Sequence, residues 1–181
     1  MDHMDQKKGI LLPPSFFYAS AVDLAPRLVG KILCRQTHNG VMRRRITETE
    51  CYFGEEDSAC HAHRGRTERT DVMYGEGGRA YVYLCYGIHS LLNIVTGPDG
   101  HPEAVLIRGV EGYPGPGRLT KQMEIDRSLN RALLVPESGI WLEDDEYAPR
   151  VIAKCRVGID YASVEDRERL WRFLDACHIS S

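Results

Sequence analysis

Apolar and polar positions alternate along two long segments of the chain, and this pattern predicts β-strands. Residues 41–52 alternate directly after the hairpin signal His38-Asn39-Gly40, which itself follows a short apolar segment at 32–35. Residues 79–96 carry two apolar runs on either side of Gly87, so a second β-hairpin is expected there. Shorter strands are predicted as well, one at 104–110 and two or three within 140–159.

Apolar residues recur at a spacing near 3.6 in three other regions, which predicts helices. In residues 15–30 Pro26 interrupts the pattern, so two short helices are expected, with Asp23 as the N-cap of the second. The other two helices are predicted at 118–129 and 165–176. Residues 54–78 contain few large apolar side chains and predict a long loop or broken helix, which in a compact domain is usually functional.

Neither an internal repeat nor a linker divides the chain, so residues 13–181 are predicted to form one α+β domain. Residues 1–12 are predicted to be a flexible tail, because little in them could be buried. No apolar run approaches the ~20 residues that a membrane span needs, and the N-terminus has no apolar signal core. We therefore expect no membrane partner and a cytoplasmic location, associated with the nucleoid if the source is bacterial.

Charge and cysteine content narrow the function classes only slightly. The net charge is −3, but it is uneven: residues 27–131 carry a net +2 and residues 135–181 a net −4. A local basic face can exist on an acidic chain, so DNA binding is neither supported nor excluded. The six cysteines show no CxxC spacing and indicate reduced thiols. Cys60, His61 and His63 come nearest to a metal pattern, but burial of Cys60 as a small apolar residue is the better interpretation, so no metal and no cofactor are expected.

Candidate acid–base chemistry lies on the strand at 41–52. Strict alternation places Glu48, Glu50 and Tyr52 on one face, together with the apolar Ile46. Two carboxylates on a face that shares an apolar neighbour are unusual, although a single glutamate on a strand most often faces solvent. Such carboxylates are candidates for general acid–base work.

Several short motifs follow one another in a specific order between Phe16 and Trp141. They are Thr47-Glu48-Thr49-Glu50-Cys51-Tyr52, Ala59-Cys60-His61-Ala62-His63, Tyr81-Val82-Tyr83-Leu84-Cys85-Tyr86-Gly87-Ile88-His89 with Asn93, Val105-Leu106-Ile107-Arg108, and Gly115-Pro116-Gly117-Arg118-Leu119. In this succession the chain resembles the alkyladenine DNA glycosylase (3-methyladenine DNA glycosylase II-like) family. The resemblance implies a curved antiparallel sheet with surrounding helices and a protruding β-hairpin. It also implies an enzyme of base excision repair that flips alkylated or deaminated purines out of duplex DNA and hydrolyses their N-glycosidic bond.

The same resemblance implies roles for individual residues. Glu50 corresponds to the residue that activates water, and Arg108 to its partner near the water and the phosphate. Tyr52, His61 and Tyr83 correspond to aromatic walls around the base. A stacked base gains ~1–3 kcal/mol on an aromatic side chain, and a cationic base gains a further ~0.5–2 kcal/mol. These three aromatic residues are therefore expected to select damaged bases partly by their positive charge.

Further positions carry roles in holding the DNA. Tyr86, beside Gly87 at the predicted hairpin tip, corresponds to the wedge that fills the gap left by the flipped nucleotide. Asn93 corresponds to a residue of the pocket floor that disfavours normal guanine. Contacts to the DNA backbone are predicted for four basic residues: Arg64, Arg66, Arg118 and Lys121.

Lysine usage separates two mechanisms. Bifunctional glycosylases use an amine to form a Schiff base. The chain has five lysines, and none lies between Arg35 and Arg118, where the candidate site residues cluster. Hydrolysis without strand cleavage, by a monomer, is therefore expected. The acid that neutral bases would need has no candidate in the sequence.

The sequence leaves two alternative functions open and differs from the family pattern at two points. The chain could instead be a nucleoside hydrolase that uses Glu48 and Glu50, or a nucleic-acid-binding module of the same fold without catalysis. The loop at 67–71 is more acidic than the family pattern, because it contains Glu68 and Asp71, which weakens the case for phosphate binding there. Glu48 is a second carboxylate that only the family pattern separates from Glu50.

Overall fold

A computed structural model describes residues 8–179, and the backbone of that region is dominated by antiparallel strand pairing. The strands are β1 (Ile10–Leu11), β2 (Ile32–Thr37), β3 (Gly40–Phe53), β4 (Ala80–Cys85), β5 (His89–Thr96), β6 (Glu103–Val110), β7 (Tyr113–Pro114), β8 (Ile140–Asp144), β9 (Val151–Lys154) and β10 (Arg172–Asp175). The order across the sheet is β1-β8-β2-β3-β6-β5-β4, with β7 on β6 and with β10 joining β3 to β9. The α+β prediction is confirmed.

Three α-helices and several short 3-10 helices complete the described chain. The α-helices are α1 (Ala21–Leu28), α2 (Pro116–Gln122) and α3 (Val164–Glu168). The 3-10 helices are Pro14–Tyr18, Gly54–Glu56, His61–Arg64, Asp71–Tyr74, Arg127–Leu129, Pro136–Ser138 and Ala176–His178. Helix α1 packs on β3 through fully buried Leu24 and Leu28, and Thr49 of β3 donates a 2.7 Å hydrogen bond to the Ala25 carbonyl. This layer fixes one face of β3 against the main core.

A bulge in β3 changes the predicted distribution of side chains. The pairing of β3 with β6 shifts register between Ile46 and Thr49. An inserted residue reverses the alternation of a strand from that point. Ile46 consequently packs in the main core together with Cys51, so its predicted place beside the carboxylates is wrong. Glu48 and Glu50 both reach Arg108 on the other side.

The helix predictions need correction at their ends. Ser20, not Asp23, caps α1 by accepting a hydrogen bond from the Val22 amide, and Pro26 lies inside that helix. The helix predicted at 118–129 ends at Gln122, because Glu124 adopts a positive φ of 52° that no α-helix accepts. In the 165–176 region the α-helix α3 ends at Glu168, and a 3-10 helix begins at Ala176.

Strand β10 replaces the C-terminal part of the helix predicted at 165–176. Arg172, Phe173 and Leu174 pair with Glu50, Thr49 and Glu48 of β3. Without this pairing the backbone of β3 would be unpaired on that edge, and buried unpaired backbone groups are costly. Long-range pairing therefore overrides the local helical spacing.

The predicted flexible tail over residues 1–12 is corrected at its C-terminal end. Ile10 and Leu11 pair with β8, the Gly9 amide donates to the Glu143 carboxylate at 2.9 Å, and Leu12 is buried. The first seven residues lie outside the described part. Within residues 8–179 no helix is long and apolar enough to cross a membrane.

Candidate active site

A cavity of about 830 Å³ opens between the β4–β5 hairpin, the loop at 54–78, helix α2 and residues 157–161. Four rings line its inner part, and we call this part the aromatic pocket: Tyr52, His61, Tyr81 and Tyr83. The His61 and Tyr83 ring centroids lie 4.6 Å apart at 70°, and those of Tyr81 and Tyr83 lie 5.3 Å apart. The predicted walls therefore come together, and Tyr81 joins them.

The Glu50 carboxylate lies behind the wall of this pocket and is fully buried. Oε2 accepts a 2.8 Å hydrogen bond from the Tyr52 hydroxyl, and Oε1 accepts one of 2.8 Å from the Val157 amide. Burial raises the pKa of Glu50, while the charge of Arg108 and these hydrogen bonds partly oppose the rise. A carboxylate of raised pKa is a stronger base than an exposed glutamate.

Arg108 connects the two carboxylates of β3. Its Nε donates to Glu48 Oε1 at 3.1 Å and lies 3.6 Å from Glu50 Oε1. Glu48 also accepts a hydrogen bond from Arg172 at 3.1 Å. Glu48 is thus held between two guanidinium groups, whereas Glu50 is held by Tyr52 and Val157, which both line the cavity. Neither glutamate lines the cavity itself, but only Glu50 is hydrogen-bonded to a ring of the aromatic pocket.

His61 is held in a neutral state on the edge of the pocket. Its Nδ1 lies 3.0 Å from the Tyr81 hydroxyl. Desolvation, followed by the positive charge of Arg69, lowers the pKa of His61 to about 4. The ring is therefore uncharged near neutral pH.

The predicted floor and wedge occupy positions that suit those roles. Asn93 is buried and lines the cavity, and its Nδ2 donates to the Tyr81 carbonyl at 3.2 Å. Tyr86 lies at the tip of the β4–β5 hairpin and is 92% exposed. Tyr86 and Gly87 adopt positive φ values of 52° and 67°, as a tight hairpin turn requires. The turn therefore projects a large ring away from the protein.

The predicted backbone contacts divide into two groups. Arg118 and Lys121 are exposed on α2 and line the cavity, whereas Arg64 and Arg66 do not line it. Arg66 donates to the Asp71 carboxylate at 2.7 Å, and Asp71 also accepts from Arg131 at 2.9 Å. Asp71, noted above as a departure from the family pattern, thus forms an ion pair with the Arg66 guanidinium, which could otherwise bind a phosphate.

Sequence reasoning missed the contribution of the C-terminal region. Val157, Ile159 and Tyr161 line the cavity, and Val157 holds Glu50. Arg156 beside them forms a buried double ion pair with Asp57, with N–O distances of 2.6 and 2.9 Å. Arg156 stands in an unremarkable stretch between β9 and α3, so no local pattern could have indicated its part in the site.

These features describe a protein that can enclose one flat ring against a buried carboxylate. The sequence profile of the methylpurine-DNA glycosylase (MPG) family matches residues 15–114 and 111–178. A protein of Psychrobacter cryohalolentis is 42% identical over 94% of each chain, and one of Methanocella arvoryzae is 42% identical over 91% of this chain and 92% of its own. A Rickettsia felis protein is 39% identical over 92% of this chain and 94% of its own. All three carry the provisional name 3-methyladenine DNA glycosylase. The chain belongs to the methylpurine-DNA glycosylase family.

Proposed function

We propose that this protein is a monofunctional DNA glycosylase of base excision repair. It flips alkylated or deaminated purines from duplex DNA and hydrolyses the N-glycosidic bond with a water activated by Glu50. The observation that carries this proposal is the Glu50 carboxylate, fully buried directly behind an aromatic pocket and fixed by Tyr52, Val157 and Arg108. The names of the similar proteins agree with the reaction class.

The reaction needs a base and a negative charge near the sugar. The C1′–N bond breaks and its electron pair leaves with the purine, while the sugar gains oxocarbenium character. Water attacks C1′, and its proton passes to Glu50. Each Glu50 oxygen accepts one hydrogen bond in the free protein, so a second lone pair on each remains to accept from water. The Arg108 guanidinium, 3.6 Å away, orients the carboxylate and faces the cavity where a phosphate would arrive.

The pocket and the surrounding surface account for selection of the nucleotide. A flipped purine would stack on Tyr52, His61 and Tyr83, and the buried Asn93 amide on the floor would obstruct the exocyclic amine of guanine. Arg118 and Lys121 flank the cavity mouth and suit the phosphates of the flipped nucleotide and its neighbours. Arg64 and Arg66 would contact the duplex further out, with Arg66 first releasing Asp71.

The direct test uses purified protein with duplexes that contain hypoxanthine or 7-methylguanine, without added metal. We expect release of the free damaged base and an alkali-labile abasic site, without strand cleavage by the protein. Borohydride should trap no adduct, because the reaction forms no Schiff base; a trapped adduct lost in Lys121→Gln would instead identify a bifunctional enzyme. Activity on free nucleosides but not on duplex would show a nucleoside hydrolase, and tight binding without any release would show a binding module.

Replacement of the hairpin wedge is expected to impair flipping and leave folding intact. Tyr86→Asn removes the ring, and asparagine tolerates the positive φ of this position. Loss of a side chain that offsets about 1.5–3 kcal/mol of unstacking should lower the single-turnover rate on duplex DNA roughly 10- to 100-fold. Thermal unfolding should change little, because Tyr86 is exposed. A fluorescent base analogue next to the lesion reports the flipping step, and an unchanged flipping amplitude would argue against the wedge.

The pH dependence of base release should reflect the burial of Glu50. A general base acts when deprotonated, so activity is present above its pKa and is lost below it. Because burial raises the pKa of Glu50, the acidic limb of the rate profile is expected at higher pH than for an exposed glutamate. Single-turnover release of 7-methylguanine is the suitable measurement, since a cationic base leaves without an acid. An acidic limb of the pH–rate profile that lies at the usual pKa of an exposed glutamate would contradict this prediction.

A further inference from the structure

One guanidinium lies against the aromatic pocket itself. The Cζ atom of Arg69 is 4.9 Å from the centroid of the Tyr83 ring, and the Arg69 side chain lines the cavity. The charge of the same side chain partly opposes the raised pKa of Tyr81 and contributes, after desolvation, to the lowered pKa of His61. A single positive charge therefore acts on three of the four pocket rings.

The charge of Arg69 is not neutralised by a neighbouring carboxylate. In the same loop, Arg66 forms an ion pair with Asp71. Arg131, which lies outside the loop, also pairs with Asp71. Behind the opposite wall, Arg156 lies 5.0 Å from the Tyr52 ring centroid but is paired with Asp57. Among residues 8–179, Arg69 has no carboxylate within ion-pair distance.

We propose that Arg69 is a specificity-determining residue that disfavours cationic alkylated purines relative to neutral damaged purines in this pocket. The inference rests on the proposed glycosylase function and names the substrate class that the site favours. It modifies the expectation from the sequence, in which the Tyr52, His61 and Tyr83 rings alone would attract a cationic base.

The physical argument has two parts. The face of Tyr83 already interacts with a guanidinium, so less of its attraction is available to a second cation. A cationic base stacked on Tyr83 would also lie close to the Arg69 guanidinium, and like charges at short range repel each other. A neutral purine such as hypoxanthine suffers no such repulsion, and its ring nitrogen and carbonyl oxygen can accept hydrogen bonds from the guanidinium.

The test compares two duplexes, one with neutral hypoxanthine and one with cationic 7-methylguanine, in single-turnover assays on wild type and Arg69→Met. Methionine keeps an unbranched, ring-contacting side chain and removes the charge. The ratio of the 7-methylguanine rate to the hypoxanthine rate is expected to rise roughly three- to tenfold in the variant. An equal decrease for both substrates would identify Arg69 as a phosphate contact and overturn the proposal.

Two further variants separate charge from shape and from general DNA binding. Arg69→Lys keeps the charge without the planar group and should keep the ratio within about twofold of wild type. Arg66→Met removes a matched arginine from the same loop and should scale both rates together, so its ratio stays unchanged. A change of ratio in Arg66→Met as large as that in Arg69→Met would also overturn the proposal.

A readout on the free protein does not depend on glycosylase activity. If Arg69 acts on the pocket as described, the pKa of His61 measured by NMR should rise above about 4 in Arg69→Met and stay near about 4 in Arg69→Lys. The rise should be partial, because desolvation is the larger cause of the lowered pKa and remains in the variant. An unchanged pKa would refute the electrostatic effect even if base release is observed. Conversely, the expected rise without any base release would leave the electrostatic effect standing and refute the proposed function.

Discussion

Glu50→Gln is expected to abolish base release while duplex binding is retained. General-base catalysis contributes typically 10²–10⁴-fold, and this carboxylate would also stabilise the cationic sugar, so we expect a single-turnover rate at least ~10³-fold lower. The variant should fold normally, because the amide oxygen can accept from the Val157 amide while the amide nitrogen donates to the Tyr52 hydroxyl. Binding to an abasic-site duplex is the paired measurement.

Glu48→Gln is the matched control on the same strand. It removes one charge from a carboxylate that is hydrogen-bonded to Arg108 and Arg172 and not to Tyr52 or Val157. We expect a decrease of about tenfold or less, through a less fixed Arg108. If Glu48→Gln loses as much activity as Glu50→Gln, the two glutamates act as a pair and the assignment of a single base is wrong.

The stability of Glu50→Gln provides an independent check with a definite sign. A carboxyl group whose pKa is higher in the folded than in the unfolded state disfavours folding as pH rises through that interval. The glutamine variant lacks this penalty. Its melting temperature should therefore match wild type in acid below that interval and exceed it near neutral pH, by about 2–4 °C for each kcal/mol relieved.

The sequence predicted most strands and the order of site residues along the chain, but not the phase of β3. Alternation alone puts Ile46 beside Glu48 and Glu50, and the bulge that separates them depends on how β3 pairs with β6. The C-terminal strand was missed for a related reason. The apolar spacing of 165–176 is compatible with a helix, and only the free edge of β3 determines that Arg172–Asp175 becomes a strand.

Some contacts at the candidate site could not be predicted for the same reason, because they depend on residues that are far apart in the sequence. The resemblance points to Glu50, Arg108 and the aromatic residues; in the structure Arg108 and the aromatic residues line one cavity, and Glu50 is buried behind its wall, 3.6 Å from Arg108. It does not indicate which residue keeps Glu50 in place, because Val157 acts through its backbone amide and leaves no side-chain signature. Arg69 has an equally ordinary sequence context, and its effect depends on a 4.9 Å contact with Tyr83.

Removal of the buried Arg156 should have the second-largest effect, on stability and activity together. Arg156 donates to both Asp57 oxygens and to the carbonyls of Cys51 and Asp166. In Arg156→Met the Asp57 charge would remain buried without its partner, which typically costs about 3–5 kcal/mol. For a domain of this size that corresponds to a fall in melting temperature of roughly 6–20 °C. Glu165→Gln, which breaks an exposed ion pair with Arg169, should shift it by about 2 °C or less.

The activity of Arg156→Met should fall even at temperatures where the variant is folded. Arg156 lies 5.0 Å from the Tyr52 ring centroid and directly precedes Val157, so its loss should release both the pocket wall and the amide that holds Glu50. Without that amide the pKa of Glu50 should rise further, which moves the acidic limb of base release to higher pH. Asp57→Asn added to Arg156→Met removes the unpaired charge and should recover part of the stability but little of the activity. Recovery of both would mean that Arg156 serves only to neutralise Asp57, and recovery of neither would mean that its packing against Tyr52 and Trp171 outweighs its charge.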